Sequence, residues 1–309
     1  MICEKVTVGE GTAFPLKGML TLPDDLSAPV PAVVMVHGSG SSNMDEKVMK
    51  LTPFKDLAEG LARRGVASLR YDKRTFAHPR KFSRLPSPTV KEETVDDAIL
   101  AVEMLKRDPR VDAGRVWLLG HSMGAMLAPR IDAEGADVKG LIMMAGTPLR
   151  LEDVVLRQLK QAGEARSLMG QVVRLERRIY AKKFDGLYEM PDDEARKKKF
   201  AGKMSLYYFK EMGLKTAADY LLESSKPALI MQGGRDFQVL AGDDFRRFRE
   251  LLAIRENTEF KLYPNLNHCF VDAMCDDILK ATKEYGTERH IGDEVIGDIA
   301  AFILDGNAQ

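Results

Sequence analysis

A serine hydroxyl is a useful nucleophile only where the chain exposes it and a base can take its proton. Gly120-His121-Ser122-Met123-Gly124 supplies the exposure. This G-x-S-x-G pentapeptide follows the apolar run at 116–119 and precedes a helix-compatible segment at 125–131, the strand-turn-helix setting that such an elbow requires. The glycines at 120 and 124 remove side chains that would collide with backbone on so sharp a turn. Along the chain an elbow of this kind is followed first by an acid and then by the base. That order excludes His37, His78 and His121 and leaves His268 and His290. His268 lies in the turn-rich Pro264-Asn265-Leu266-Asn267-His268 after a predicted strand at 259–263, whereas His290 sits at the start of the last helical segment. His268 is therefore the candidate base. Asp236, reached from the strand at 228–232 through Gly233-Gly234-Arg235, is the candidate carboxylate that orients it. Asp243 and Asp244 fall where the next helix begins, as expected of carboxylates serving the helix dipole. From Asp236 to His268 is 32 residues, room for one helix and one strand. An oxyanion needs two donors: the elbow offers the Met123 N–H, and His37-Gly38-Ser39-Gly40, following the strand at 32–36, offers the Ser39 N–H.

Such residues must be delivered to one edge by regular elements. Strands are predicted at 6–8 and 16–22, joined as an antiparallel pair, then at 32–36, 66–71, 116–119, 138–145, 228–232 and 259–263. Between them Phe54, Leu57, Ala58, Leu61 and Ala62 recur at helical spacing, as do Val95, Ala98, Ile99, Val102 and Leu105, and helices are expected at 245–252 and 295–304. Alternation of this kind specifies an α/β protein with a mostly parallel, doubly wound sheet. From 150 to 225 no strand is expected; Leu151, Val154, Val155 and Leu159 read as helix, then Val172, Leu175, Ile179 and Phe184, then Met204, Tyr207, Tyr208 and Met212. The chain thus divides into a core at 1–149 and 226–309 and an inserted helical cap, or lid, at 150–225. Tyr207 and Tyr208 are the candidate substrate-binding residues of the cap, where apolar and aromatic groups suit an uncharged acyl or aromatic ester.

Forty-six basic and 46 acidic residues cancel, so no long-range field gathers nucleic acid or an anionic membrane, and the composition, 45% hydrophobic and 30% charged, is that of a folding chain. Asp192, Asp193 and Glu194 precede Arg196-Lys197-Lys198-Lys199, which reads as a solvated helix face. Cys3, Cys269 and Cys275 are too few for a disulfide framework, and Glu4 and Lys5 interrupt any secretory leader; a cytoplasmic location is expected. The most apolar run, 28–36, contains Pro29 and Pro31 and is far short of the roughly 20 residues a bilayer needs. No His, Cys, Asp and Glu stand at ligand spacing, so neither metal nor organic cofactor is expected. The expected partner is a small-molecule ester, with assembly into a homo-oligomer left open by the sequence.

Together with Arg70-Tyr71-Asp72-Lys73-Arg74, Ala145-Gly146-Thr147-Pro148, residues 232–239 and residues 263–268, the elbow resembles bacterial α/β-hydrolases of the dienelactone-hydrolase and prolyl-oligopeptidase-like branch. The resemblance extends over nearly the whole chain and is greatest to carboxylesterases with a helical cap between the sixth and seventh strands. It implies the α/β-hydrolase fold, a triad of Ser122, Asp236 and His268, and oxyanion donors at Ser39 and Met123. Where that family usually has glycine after the basic loop, this chain has Thr75 and Phe76. Asp72 is expected to brace its loop through ion pairs with Arg70, Lys73 and Arg74 and hydrogen bonds, Cys269 to be a small buried hydrophobe, and Trp117 to be packing. The activity so read is ester hydrolysis through an acyl-enzyme. A peptidase or amidase with the same triad, or a small-molecule receptor built on the same fold, are the alternatives.

Overall fold

The computed structural model describes residues 1–201 and 204–306. Strands β1 (Ile2–Val8), β2 (Leu16–Leu22), β3 (Val30–Val36), β4 (Ala67–Tyr71), β5 (Val111–His121), β6 (Leu141–Met144), β7 (Lys199–Phe200), β8 (Met204–Ser205), β9 (Ala228–Gly233) and β10 (Thr258–Tyr263) follow in chain order. Eight of them form one sheet in the order β1-β2-β4-β3-β5-β6-β9-β10. The pairings of β2 with β1 and with β4 are antiparallel; those from β4 across to β10 are parallel.

Side-chain alternation explains why the central strands are apolar throughout. In β3, Val33 and Met35 join Trp117 and Leu119 in the core on one face, while Val34 and Val36 join Leu118 in the core on the other. Helix α1 (Pro53–Ala62) covers the first face through Phe54, Leu57, Ala58 and Leu61, and α2 (Asp96–Lys106) and α3 (Met123–Ile131) cover the second. Trp117 is 1% exposed and packs against Phe302 at 5.2 Å between ring centroids, which is packing as expected. The strand at 116–119 begins earlier than its apolar run, at Val111, because the parallel pairing with β3 resumes at Val30 beyond a register shift.

Between β6 and β9 the chain leaves the sheet through α4 (Leu151–Gly163), α5 (Leu168–Phe184), α6 (Leu206–Gly213) and α7 (Ala217–Glu223). One expectation for this insertion is corrected. Strands β7 and β8 pair as a two-stranded antiparallel ribbon inside it, so Met204 is extended rather than helical. Val172, Leu175 and Ile179 lie on one helix, as expected, and are about half exposed. Outside the insertion, Asp243 and Asp244 stand in the first turn of the helical segment that opens at Ala241, as expected; Asp244, fully buried, also accepts from Thr147 Oγ1 at 2.6 Å, Leu240 N at 2.6 Å and the α4 guanidinium of Arg157 at 2.9 Å. That cluster fastens the insertion to the edge of the sheet. Beyond β9, helices α8 (Arg246–Leu251) and α9 (Asp293–Asp305) complete the layers, α9 opening with Asp293 and Glu294 where the dipole favours acids. No described helix is long and apolar enough to cross a membrane.

Candidate active site

Strand β5 ends at His121 and α3 begins at Met123, which leaves Ser122 alone on the turn with φ 54° and ψ −118°. Left-handed backbone at a residue with a side chain costs on the order of 1–3 kcal/mol and persists only where its surroundings impose it. The imposition is visible at the flanking glycines. A methyl on Gly120 would lie 2.2 Å from Gly124 O, and one on Gly124 would lie 2.2 Å from Val36 O. Neither glycine can be replaced while β5, α3 and β3 keep this approach.

Asp236 and His268 arrive from two neighbouring strands, β9 and β10, and their loops press together: a methyl on Gly233 would meet Leu266 O and Asn267 O at 2.5 Å. His268 Nδ1 lies 2.7 Å from Asp236 Oδ2, with the carboxylate wholly buried and the imidazole 6% exposed. Asp236 Oδ1 accepts from Gln238 N at 2.7 Å and Val239 N at 3.0 Å. Gln232 Nε2 donates to Asp236 Oδ2 at 3.0 Å, and the Gly233 and Val239 carbonyls also face that amide nitrogen. Gln232 escaped the sequence reading; its place four residues before the carboxylate was the available signal. His290 is remote from this pair, exposed and bonded to Asp56 at 3.0 Å.

Ser122, Ser39 and Met123 line one cavity of about 900 Å³. Among the described residues, neither the Ser39 N–H nor the Met123 N–H donates to a protein acceptor, so both are available to a ligand. Its walls are mainly apolar, including Leu151, Val154, Phe200 and Phe209, and Thr75 forms part of them. Tyr208 lines the cavity as expected, but Tyr207 does not. Half-buried, Tyr207 packs under the Arg196 guanidinium at 3.5 Å, because adjacent helical positions point about 100° apart. Met204 lines the cavity and Met212 lies outside it.

Two buried ion pairs stand beneath the site, and sequence reasoning missed both. In the first, Glu46 Oε2 meets His121 Nδ1 at 3.0 Å while Glu46 Oε1 accepts the Gly38 N–H at 2.7 Å. His121 Nε2 faces His268 O at 2.8 Å, so both ring nitrogens face acceptors. Burial alone would lower the His121 pKa, but the Glu46 carboxylate, helped by the His268 carbonyl and the Asp236 charge, holds the ring above the ordinary imidazole value. For Glu46 burial acts upward, and His121 with the Gly38 amide pulls the carboxyl below its usual range. In the second, Lys73 meets Glu93 at 2.7 Å, and Tyr208 Oη donates to Glu93 at 2.9 Å. Burial, reinforced by Glu93, pushes the Tyr208 phenol well up and keeps it a donor.

The remaining basic-loop expectation is corrected. Asp72 makes no ion pair with its neighbours; it accepts from Met44 N at 2.9 Å, and burial pushes its carboxyl up. Arg70 instead pairs with Asp45 and Arg74 with Asp97, partners that the fold brings from elsewhere. Cys269 is buried, which pushes its thiol well up and makes it inert as a nucleophile.

A parallel sheet with an antiparallel edge, a serine elbow after the fifth strand and an acid and histidine after the last two define a class. Residues 33–281 match the alpha/beta hydrolase family, and the chain belongs to it. Esterase EstD of Thermotoga maritima is 35% identical over 291 residues, 94% of this chain and 65% of EstD, so this chain spans about two thirds of that relative's length. Est1E from Butyrivibrio proteoclasticus shares the fold with a TM-score of 0.61 at 16% identity, over 99% of both chains. A Pyrococcus furiosus esterase does so with a TM-score of 0.56 at 17% identity, over 98% of this chain and 90% of its own.

Proposed function

We propose that the protein is a serine carboxylesterase with Ser122 as nucleophile, His268 as base, Asp236 as the group that orients it, and Ser39 and Met123 as oxyanion donors. The observation that carries this reading is the convergence on one cavity of a strained, half-buried serine and two unoccupied backbone donors. Ser122 Oγ adds to the ester carbonyl as its proton passes to His268 Nε2; the two amides hold the resulting oxyanion. Collapse breaks the C–O bond, and His268 returns the proton to the departing alcohol. Water, deprotonated by the same imidazole, then attacks the acyl-Ser122 ester and releases the carboxylate and free serine. Asp236 takes no proton at any step. Its charge favours the imidazolium and keeps the neutral ring protonated on Nδ1, which leaves Nε2 as the atom that accepts the serine proton.

The mainly apolar walls suit an uncharged acyl group, aliphatic or aromatic. The insertion, 150–225, supplies much of that wall and acts as the lid that selects substrate. EstD's name as an esterase and the binding of ferulic acid by Est1E accord with this substrate class. The test is labelling with a fluorophosphonate, mass mapping of the adduct, and turnover of p-nitrophenyl esters against p-nitroanilides. The expected adduct is on Ser122, and Ser122→Ala is expected to lower kcat by at least about 10³-fold with the fold retained. An adduct on another serine, or normal turnover by Ser122→Ala, overturns the assignment. Preferred cleavage of anilides makes the protein an amidase, and ligand binding without turnover makes it a receptor.

A further inference from the structure

The Ser39 N–H is one half of the Gly38–Ser39 peptide, and the other half is the Gly38 carbonyl. In a trans peptide these two groups point in opposite directions, and the described chain contains no cis peptide. Whatever holds the carbonyl therefore aims the amide. Lys73 Nζ donates to Gly38 O at 2.8 Å from the buried side, with its own side chain 2% exposed. The same nitrogen lies 2.7 Å from Glu93, and the Lys73 N–H donates to Ser42 O at 3.0 Å, so neither end of the lysine can drift. Gly38 is gripped on its other side by Glu46, and a methyl placed on it would stand 3.1 Å from Ser122 Cβ. The gripped peptide is thus next to the nucleophile.

We propose that Lys73 is a positioning residue that aims the Ser39 N–H into the cavity, and that Glu93 with Tyr208 makes this aim depend on the seating of the inserted segment. Tyr208, on α6, reaches Glu93 through its hydroxyl at 2.9 Å and lies 3.7 Å from Met123 Sδ through the same atom. One chain of contacts thus runs from the peptide carrying one donor, through Lys73, Glu93 and Tyr208, to the side chain of the residue carrying the other. An ammonium bonded to the carbonyl also polarises the peptide and strengthens its N–H as a donor. A charged pair in an apolar wall would otherwise be a poor investment for ester binding, since burying two ions is costly unless both are paired and fully hydrogen-bonded. Here Lys73 and Glu93 are paired, and each has a further hydrogen bond, to Gly38 O and from Tyr208 Oη.

This inference rests on the reading of Ser39 as an oxyanion donor, and the experiment separates the two. Lys73→Met combined with Glu93→Gln removes the aiming bond without leaving a lone buried charge. Rates on p-nitrophenyl butyrate are measured per site titrated by fluorophosphonate, so unfolded protein does not count, and phenylboronic acid serves as the tetrahedral analogue. The expected result is a kcat about 10-fold or more below wild type with KM within about twofold, and a matching loss of boronate affinity, since removing an oxyanion donor outright costs about 10²–10³-fold. Lys73→Arg, which keeps the charge and the donor, is expected to restore most of the rate. An unchanged kcat per site, or a raised KM with kcat intact, overturns the positioning role while leaving the esterase reading in place. Absence of a Ser122 adduct and of turnover in the wild type overturns both. Should the double variant yield no titratable sites, Glu93→Gln alone decides: kcat about threefold or more lower at constant KM supports the role, and wild-type kcat refutes it.

Discussion

Asp236→Asn is the substitution whose consequence the structure specifies most closely. The wild-type carboxylate accepts four hydrogen bonds, two backbone amides on Oδ1 and His268 Nδ1 with Gln232 Nε2 on Oδ2. Asparagine has one oxygen to offer. Keeping it on the two backbone amides of Gln238 and Val239 turns its NH₂ toward His268 and Gln232. That NH₂ donates to His268 Nδ1, which drives the ring proton to Nε2, the atom that must accept from Ser122. A loss of tautomer control of this kind is expected to lower kcat by about 10⁴-fold, equivalent to about 5 kcal/mol of lost transition-state stabilisation. The structural cost is smaller. Gln232 keeps its bonds to the Gly233 and Val239 carbonyls and loses one partner, a penalty of about 1–3 kcal/mol. Steady-state turnover of p-nitrophenyl esters together with urea unfolding checks both figures. A kcat within tenfold of wild type would refute the argument, because the imidazole would then be oriented by something other than Asp236.

The two cap tyrosines should separate. Tyr208→Ala opens the cavity wall and is expected to shift the ratios of kcat/KM across acyl chain lengths, whereas Tyr207→Ala should leave the profile unchanged; a profile moved by Tyr207 alone would contradict the geometry. His37 supplies a pH signature. Burial lowers its pKa from 6.5 to about 4, so between those values the unfolded chain binds a proton that the folded one refuses. Stability contributed by this residue is therefore whole above pH ~6.5 and falls as pH drops toward 4, by about 3 kcal/mol at roughly 1.36 kcal/mol per unit. His37→Gln, whose amide can still donate to Asn43 O, should lose about 3 kcal/mol less over that interval in urea unfolding, and parallel losses in the two proteins would refute it.

What the linear sequence determined here is what depends on near neighbours. Gly120 and Gly124 are two residues either side of Ser122, so the demand of the turn for both is readable without a fold, and the faces of β3 follow from alternation alone. The order of serine, acid and histidine, with the turn residues preceding Asp236 and His268, was likewise enough to pick that pair from several carboxylates and five histidines. Identity of long-range partners was not legible. Lys73 lies 35 residues from the Gly38 carbonyl it holds, and Tyr208 lies 115 from Glu93. Glu46 meets His121 only because the loop after β3 folds back under the elbow. A basic loop reads as a set of mutual ion pairs when its neighbours in sequence are the only partners in view; packing gave Arg70, Lys73 and Arg74 an acid each from two other segments and left Asp72 with a backbone amide. Sidedness within a helix was decided in the same way. Periodicity marks Tyr207 and Tyr208 as equally apolar, and only the direction in which α6 meets the sheet sends one to the cavity and the other to Arg196. Local sterics and hydrogen-bond valence act over a few residues and can be summed along the chain. The pairing of buried charges is a choice among many partners, made by whichever arrangement leaves no ion unpaired once the sheet and the insertion have closed on each other.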